Sequence, residues 1–533
     1  MNKLFVLIAS LTVFLPCASS AAPVSQVVTE SGSFEGYRSE YASGVTSFKG
    51  IAYAAPPVRG LRWKPPAPAI PFAGVHQADK NGPACWQARN SDDSLYARGN
   101  LERSEDCLYL NVFTGAADTG ESLPVMVWFH GGGNTAGHGG PLIFDGSNMA
   151  ARGAVIVTAN YRLGSLGFMA HPALTAESEN RSSGNYGLLD QVQVLQWVQA
   201  NISGFGGDPE RVTIFGQSAG GTDVCLLMAS PRTEGLIDGV IGQSPGCIKL
   251  TTRLDSGRNS GHQRGLSYAA ELGFSGSNYA ALERLRAVPA EQLVEAGVGG
   301  GPVIDGWLLP SAPYDLLESG QHNNIPVMVG GLANENHGLQ HTAQPITEQQ
   351  LDNYLNTMFA DSAARIKSAY IEELAVSPLD ARKQIATDNG FILSSRLWGR
   401  LVQERGNNAY VYYFTRVPPV FRLYVPEVPD LYNDGGQRRF GAYHSGELAY
   451  AFDNLDLVGV GWDDEDHRLS ELMADYWVSF AKDGNPNGDG LPNWPVYDSA
   501  TDVVQVLDVN THATEHPKKA QLDMLEEFYL KQR

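Results

Sequence analysis

Short apolar runs alternate with longer helix-compatible stretches through the first half of the chain. Pro124 to Phe129 (PVMVWF), Ala154 to Ala159 (AVIVTA), Val212 to Phe215 (VTIF), Gly239 to Gln243 (GVIGQ) and Ile325 to Val329 (IPVMV) each have the length of one strand. Their apolar character is continuous rather than alternating, the pattern of strands buried on both faces. Between them lie segments such as Leu188 to Ala200 (LLDQVQVLQWVQA), which reads as a helix. Strand and helix in alternation predict an α/β fold with a central, mostly parallel sheet and helices on both of its faces.

From about 345 to 430 the rhythm breaks. Glu348 to Met358 and Asp361 to Leu374 read as helices, and a Pro- and Tyr-rich stretch follows near Pro418 to Tyr432. This segment is expected to be a helical insertion beside the active-site entrance rather than a separate domain, so that residues 22–533 form one catalytic domain. No internal repeat or low-complexity tract interrupts it.

Residues 1–21 read as a signal peptide. Lys3 supplies the positive start, Leu4 to Leu15 the apolar stretch, and Ser19-Ser20-Ala21 a small-residue cleavage site before Ala22. The apolar stretch is too short to span a bilayer. The expectation is a secreted or periplasmic protein with no stable membrane anchor. The formal net charge of −20 argues against nucleic acid, whose phosphates it would repel. Beyond the leader the chain keeps Cys85, Cys107, Cys225 and Cys247, and an even count in an exported chain suggests disulfides. There is no CxxC pair and no HExxH, so no metal or other cofactor is expected.

Gly216-Gln217-Ser218-Ala219-Gly220 matches the G-x-S-x-G nucleophile elbow, with the strand Val212 to Phe215 before it and a helix-compatible stretch, Gly221 to Ala229, after it. The elbow lifts a serine hydroxyl out of the end of a strand, and the following helix N-terminus favours developing negative charge. The pattern alone is weak. With 58 glycines in 533 residues, about 0.4 matches are expected by chance. A second match exists at Gly242-Gln243-Ser244-Pro245-Gly246. The residue after the nucleophile must donate its N–H to the oxyanion; Pro245 has none, whereas Ala219 does. Ser218 is therefore the expected nucleophile and Ser244 a structural or supporting residue. His130-Gly131-Gly132-Gly133, at the end of an expected strand, is the element that supplies the remaining oxyanion donors. Gly132, Gly133 and Ala219 form the expected oxyanion hole, and one such donor is worth about 10²–10³ in rate.

Beside these motifs stand Phe48 to Ala54 (FKGIAYA), Ser104 to Asn111 (SEDCLYLN), Asn160 to Gly164 (NYRLG), Gly184 to Gln191 (GNYGLLDQ) and Asn493 to Tyr497 (NWPVY). With them the chain resembles the type B carboxylesterase and cholinesterase family over nearly its whole mature length. The resemblance implies the α/β-hydrolase fold and a triad in the chain order serine, acid, histidine. Glu335 matches the acid, and His444 matches the histidine of the G-x-x-H block Gly441-Ala442-Tyr443-His444. His444 would take the serine proton and return it to the leaving alcohol, while Glu335 would hold the imidazole tautomer. The resemblance also implies a Cys85–Cys107 disulfide. For Cys225 and Cys247, one two turns into the helix after Ser218 and one just past the next strand, a second bridge and two buried thiols both remain open.

The departures from the family concern substrate and acid. Asn334 and Asn336 flank Glu335 where Asp and Gly are usual. Gln217 replaces the glutamate that commonly precedes the nucleophile, and Asn134 follows the glycines where an aromatic is common. The Cys85–Cys107 loop has no tryptophan after Trp86, whereas cholinesterases carry there a tryptophan that stacks on a cation. Asn134, Gln217 and Ser244 are candidate pocket residues, with Thr135 and His138 as further polar handles. The expected function is a secreted carboxylic ester hydrolase working through an acyl-enzyme on small-molecule esters. A lipase or polyester hydrolase, an esterase for polycarboxylic esters such as the fumonisin type, and an inactive binding module of the same fold are the alternatives. The oligomeric state is not legible.

Overall fold

The computed structural model describes residues 24–89, 91, 94–425 and 436–533. The expected signal peptide, 1–21, lies outside the described residues. An eleven-stranded sheet runs through the molecule. In chain order its strands are β1 (Tyr37–Arg38), β2 (Thr46–Ala52), β3 (Tyr109–Thr114), β4 (Leu123–Phe129), β5 (Val155–Ala159), β6 (Gly207–Gln217), β7 (Gly239–Gln243), β8 (Val327–Leu332), β9 (Ala409–Phe414), β10 (Val503–Leu507) and β11 (His512–Glu515). Across the sheet they lie in the order 11-10-9-8-7-6-4-5-3-2-1. From β5 to β10 every pairing is parallel, and the edges turn antiparallel through β3 to β1 and at β11.

The continuous apolar runs have the reason the pattern suggested. Val125, Val127 and Phe129 of β4 enter one hydrophobic cluster, and the intervening Met126 and Trp128 enter another on the opposite face. Val155 and Val157 are divided from Ile156 in the same way. Successive side chains on a strand point to opposite faces, so a strand covered on both sides needs apolar residues throughout. On the first face lie α1 (Tyr186–Asn201) and α2 (Ala219–Ala229), through Leu188, Val192, Val224 and Leu227. The opposite face is covered by Leu469, Met473, Tyr476, Trp477 and Phe480 from the long helix Asp464–Asp483.

The stretch expected as a helical insertion is only partly one. Helices fill 348–404, but Ala409–Phe414 is β9, inserted between β8 and β10 within the parallel array. Its sequence, AYVYYF, is fully buried, and its aromatics pack on Trp477 and Trp494. Aromatic strand residues of this kind read as a continuation of the Pro- and Tyr-rich stretch that follows, of which 426–432 lie outside the described residues. The expected helix Asp361 to Leu374 is broken into Ala363–Ala369 and Ile371–Val376. Among the described residues no helix is long and apolar enough to cross a membrane.

Both pairs of cysteines are joined. Cys85–Cys107 has a Cα–Cα distance of 5.0 Å and Cys225–Cys247 one of 6.2 Å. The second bridge ties α2 to the turn after β7, where both sulfurs are fully buried. Each bridge closes a 22-residue separation, worth about 3 kcal/mol in the chain-entropy model. The double variant Cys225→Ala, Cys247→Ala should therefore lose about 3 kcal/mol in urea unfolding without reductant. A loss below about 1 kcal/mol would mean that the bridge restrains the unfolded chain little.

Candidate active site

The candidate residues converge at the carboxyl ends of the parallel strands, the face at which open α/β sheets bind ligands. β6 ends at Gln217, and Ser218 follows with φ 59° and ψ −118° before α2 begins. A positive φ is unfavourable for a residue with a Cβ, so packing must hold it. A Cβ at Gly220 would stand 1.9 Å from the Phe129 carbonyl oxygen, and one at Gly216 would stand 2.5 Å from the Gly220 oxygen. Glycine at both positions lets the elbow press against the end of β4. The Ser218 N–H donates to the Gln243 carbonyl at 2.8 Å, fastening the turn to β7. Ser218 and Ala219 are left partly exposed after the buried Gln217, and the Ser218 hydroxyl has no hydrogen-bond partner among the described residues.

The glycine run lies directly on this elbow. A Cβ at Gly131 would meet the Gln217 carbonyl oxygen at 2.6 Å and Ser218 Cβ at 3.0 Å. Gly132 and Gly133 have φ of 116° and 66°. Among the described residues the N–H groups of Gly132, Gly133 and Ala219 donate to no protein acceptor. Beneath them runs a buried polar network. The Tyr161 hydroxyl reaches the His130 carbonyl at 2.7 Å and Asn134 Oδ1 at 3.0 Å, and its ring stacks on His130. Asn134 Nδ2 and Gln191 Nε2 donate to the two oxygens of Asp223 at 2.9 and 2.7 Å. Burial pushes the Asp223 carboxyl up to about 7 and the His130 imidazole down to about 3, so His130 is neutral.

Glu335, the first residue after Asn334 at the end of β8, is fully buried. Its Oε1 accepts from Ser244 Oγ at 2.6 Å and from the Leu332 N–H at 2.8 Å, and its Oε2 accepts from His444 Nδ1 at 2.5 Å. The unusual Asn334 has a function in this arrangement. Its N–H donates to the Ala442 carbonyl at 2.9 Å, and its Oδ1 accepts from the Ala442 N–H at 3.1 Å. This clip holds the His444 segment against β8. On its other side His444 Nε2 lies 3.2 Å from Gln217 Nε2, while the Ser445 hydroxyl donates to Gln217 Oε1 at 3.1 Å. The serine thereby turns the amide N–H toward the imidazole, and Nε2 accepts from it with the proton on Nδ1.

Ser218, Glu335, His444 and the three N–H groups thus gather in one place. The three residues expected to line the pocket wall are all buried. Asn134, Gln217 and Ser244 are 5%, 1% and 0% exposed, each bonded to protein, and none offers a free polar handle. Buried Ser244 supports Glu335, in keeping with the argument from Pro245. Sequence motifs did not point to Tyr96, whose hydroxyl donates to the His444 carbonyl at 2.9 Å, or to Phe391, whose ring centre is 4.9 Å from that of His444. Nor did they point to Glu447, three residues after His444. It is fully buried, and its Oε1 accepts from Gln243 Nε2 at 3.1 Å. Burial, reinforced by the charge of Glu335, pushes its carboxyl up to about 8.

Comparison with known proteins identifies the family of this fold. The carboxylesterase family matches residues 23–525. The chain belongs to that family. It is 34% identical to the fumonisin B1 esterase of Sphingopyxis macrogoltabida, over 89% of this chain and 85% of the relative. It is also 34% identical to the para-nitrobenzyl esterase of Bacillus subtilis, over 87% of this chain and 92% of that one. The solved carboxylesterase of Geobacillus stearothermophilus superposes with a TM-score of 0.78 at 30% identity, covering 94% of this chain and 100% of that one. Such carboxylesterases are serine-dependent hydrolases of the α/β-hydrolase fold, and this protein is one.

Two measurements test the electrostatics of the site. Gln217→Glu puts a carboxylate against His444 Nε2, which favours imidazolium; the acid limb of kcat/KM should move to higher pH, and an unmoved limb would show that Gln217 does not face the working imidazole. The second concerns Glu447, whose carboxyl binds its proton up to about pH 8 in the fold but only to its ordinary value of 4.5 when unfolded. Between those limits folding takes up a proton. Stability is therefore full below the lower value and drains as pH rises, by at most about 1.4 kcal/mol per pH unit. Glu447→Gln removes that drain, so its Tm relative to the parent should climb from pH 5 to pH 8. A difference independent of pH would contradict the assignment.

Proposed function

We propose that this carboxylesterase is exported, loses residues 1–21, and hydrolyses esters through an acyl-enzyme on Ser218, with His444 as base and Glu335 as its orienting acid. The observation that carries the reading is the His444 Nδ1–Glu335 Oε2 contact of 2.5 Å, both groups being buried, beside a strained elbow whose serine hydroxyl has no partner among the described residues. Two disulfides support the reading of export.

In this mechanism Ser218 Oγ attacks the ester carbonyl as its proton passes to His444 Nε2. That nitrogen exchanges its contact with the Gln217 amide for the serine hydroxyl. The oxyanion receives the N–H groups of Gly132, Gly133 and Ala219. Collapse expels the alcohol, which takes the proton back from His444. Water then attacks the acyl-serine by the same route. Glu335 keeps its charge, fixes the Nδ1–H tautomer and stabilises the imidazolium. Ser244 and the Leu332 N–H keep the Glu335 carboxylate oriented.

For substrate, we propose esters of polycarboxylic acids of the fumonisin type. The relative named a fumonisin B1 esterase favours this reading over a lipase. Ser218→Ala should lower kcat at least about a thousandfold while the protein remains folded, and Ser244→Ala should retain a substantial fraction. The reverse result would overturn the assignment. A screen of the purified mature chain against short neutral esters, esters of tricarboxylic acids and emulsified long-chain triglycerides tests the substrate class. A preference for the emulsion would point to a lipase.

A further inference from the structure

Five arginines are at most 8% exposed: Arg62, Arg98, Arg162, Arg286 and Arg396. Four of them hold a carboxylate, respectively Glu105 for Arg62, Asp190 for Arg162, Glu177 for Arg286 and Asp502 for Arg396. Arg98 does not. It is 7% exposed, and among the described residues its Nε and Nη1 have no hydrogen-bond partner. Its guanidinium stacks 3.5 Å from the centre of the Tyr424 ring. Around it stand Tyr96, Tyr161, His130 and His138; burial holds both histidines down to about 3, so they add no positive charge. A guanidinium stays charged in a protein, and burying one without a counterion is unfavourable.

Arg98 is also next to the reaction centre. Its Nη2 lies 3.0 Å from the point where a Cβ would stand on Gly132, one of the proposed oxyanion donors. It sits in the Cys85–Cys107 disulfide loop, whose sequence lacks the cation-stacking tryptophan of the cholinesterases. The net charge of −20 repels an anion at long range, so recognition of one requires a local, desolvated cation of this kind.

We infer that the Arg98 guanidinium binds a carboxylate carried by the substrate itself, a few bonds from the ester carbonyl that Gly132 would receive. The inference rests on the proposed site and identifies the residue that selects its substrate class. Arginine presents a planar fork that matches a carboxylate, and charge-assisted bonds to it are the stronger kind. The carboxylate can belong to the acyl part, as in a half-ester of a dicarboxylic acid, or to the alcohol part.

The test is kcat/KM on matched pairs, for the parent protein, Arg98→Gln and Arg98→Lys. The acyl arm compares 4-nitrophenyl hydrogen glutarate with 4-nitrophenyl butanoate. The alcohol arm compares 3-carboxyphenyl butanoate with phenyl butanoate, followed by proton release. Arg98→Gln should lower the anionic-to-neutral ratio at least tenfold in one arm, which names the side, and Arg98→Lys should restore part of it. An unchanged ratio in both arms, with hydrolysis still dependent on Ser218, overturns the inference alone. Neutral-ester hydrolysis that survives Ser218→Ala overturns the site reading as well. Should Arg98→Gln fail to fold, the parent protein decides: competitive inhibition by glutarate or tricarballylate at least tenfold stronger than by glutaramide supports the inference, and equal inhibition overturns it.

Discussion

The close approach of the elbow to the end of β4 governs the rest of the site. Gly220 lies so near the Phe129 carbonyl that a single Cβ would overlap it. Because of that contact, α2 starts at Ala219 rather than farther along the chain, and Ser218 is held at a positive φ with its hydroxyl outward. The glycine run, which continues β4, lies across the same turn, so its N–H groups and that of Ala219 border one space. Strand register fixes the relation. Phe129 pairs with Gly216, and Gln217 with Gln243, so the carboxyl ends of β4, β6 and β7 are level. A substituent at Gly220 would separate the serine from the glycine run and its proposed oxyanion donors while leaving every side chain of the site intact.

Around this backbone device the protein buries several polar groups, and it treats each differently. Glu335 accepts from Ser244, Leu332 and His444, which satisfies its oxygens where water is excluded. Glu447 and Asp223 receive fewer or weaker donors, and burial raises their pKa values to about 8 and 7. A buried carboxyl that keeps its proton costs less than a buried charge. The result is one strongly supported carboxylate against the imidazole and two carboxyls that hold neighbouring segments by hydrogen bonds. Asp223 holds Asn134 and thereby the loop that carries the glycines. The polar residue that follows the glycines is thus a strut beneath the oxyanion loop, and its unusual identity concerns loop placement more than substrate contact.

Much of this architecture was legible in the chain. The apolar runs of β4 to β8 announced strands buried on both faces. The elbow and the glycine run announced themselves because they depend on backbone geometry set by adjacent residues. Pro245 disqualified Ser244 by a property of one peptide bond. Those features are local, and local chemistry is written in consecutive positions. β9 was hidden because its aromatic residues become strand only through packing against Trp477 and Trp494, on segments far along the chain.

The sequence by itself determined the fold class, the family, and the candidates for nucleophile, acid and base. Only the tertiary structure decided how those groups are used. Asn334, read as a departure from the family, joins β8 to the segment bearing His444. Gln217 faces the imidazole rather than an open pocket. Arg98, Tyr96 and Phe391 reach the site from stretches with no motif. The physical reason is that a hydrogen bond or an unpaired charge is defined by what surrounds it. For these residues the surroundings come from segments up to 348 positions apart, which the sheet alone brings together.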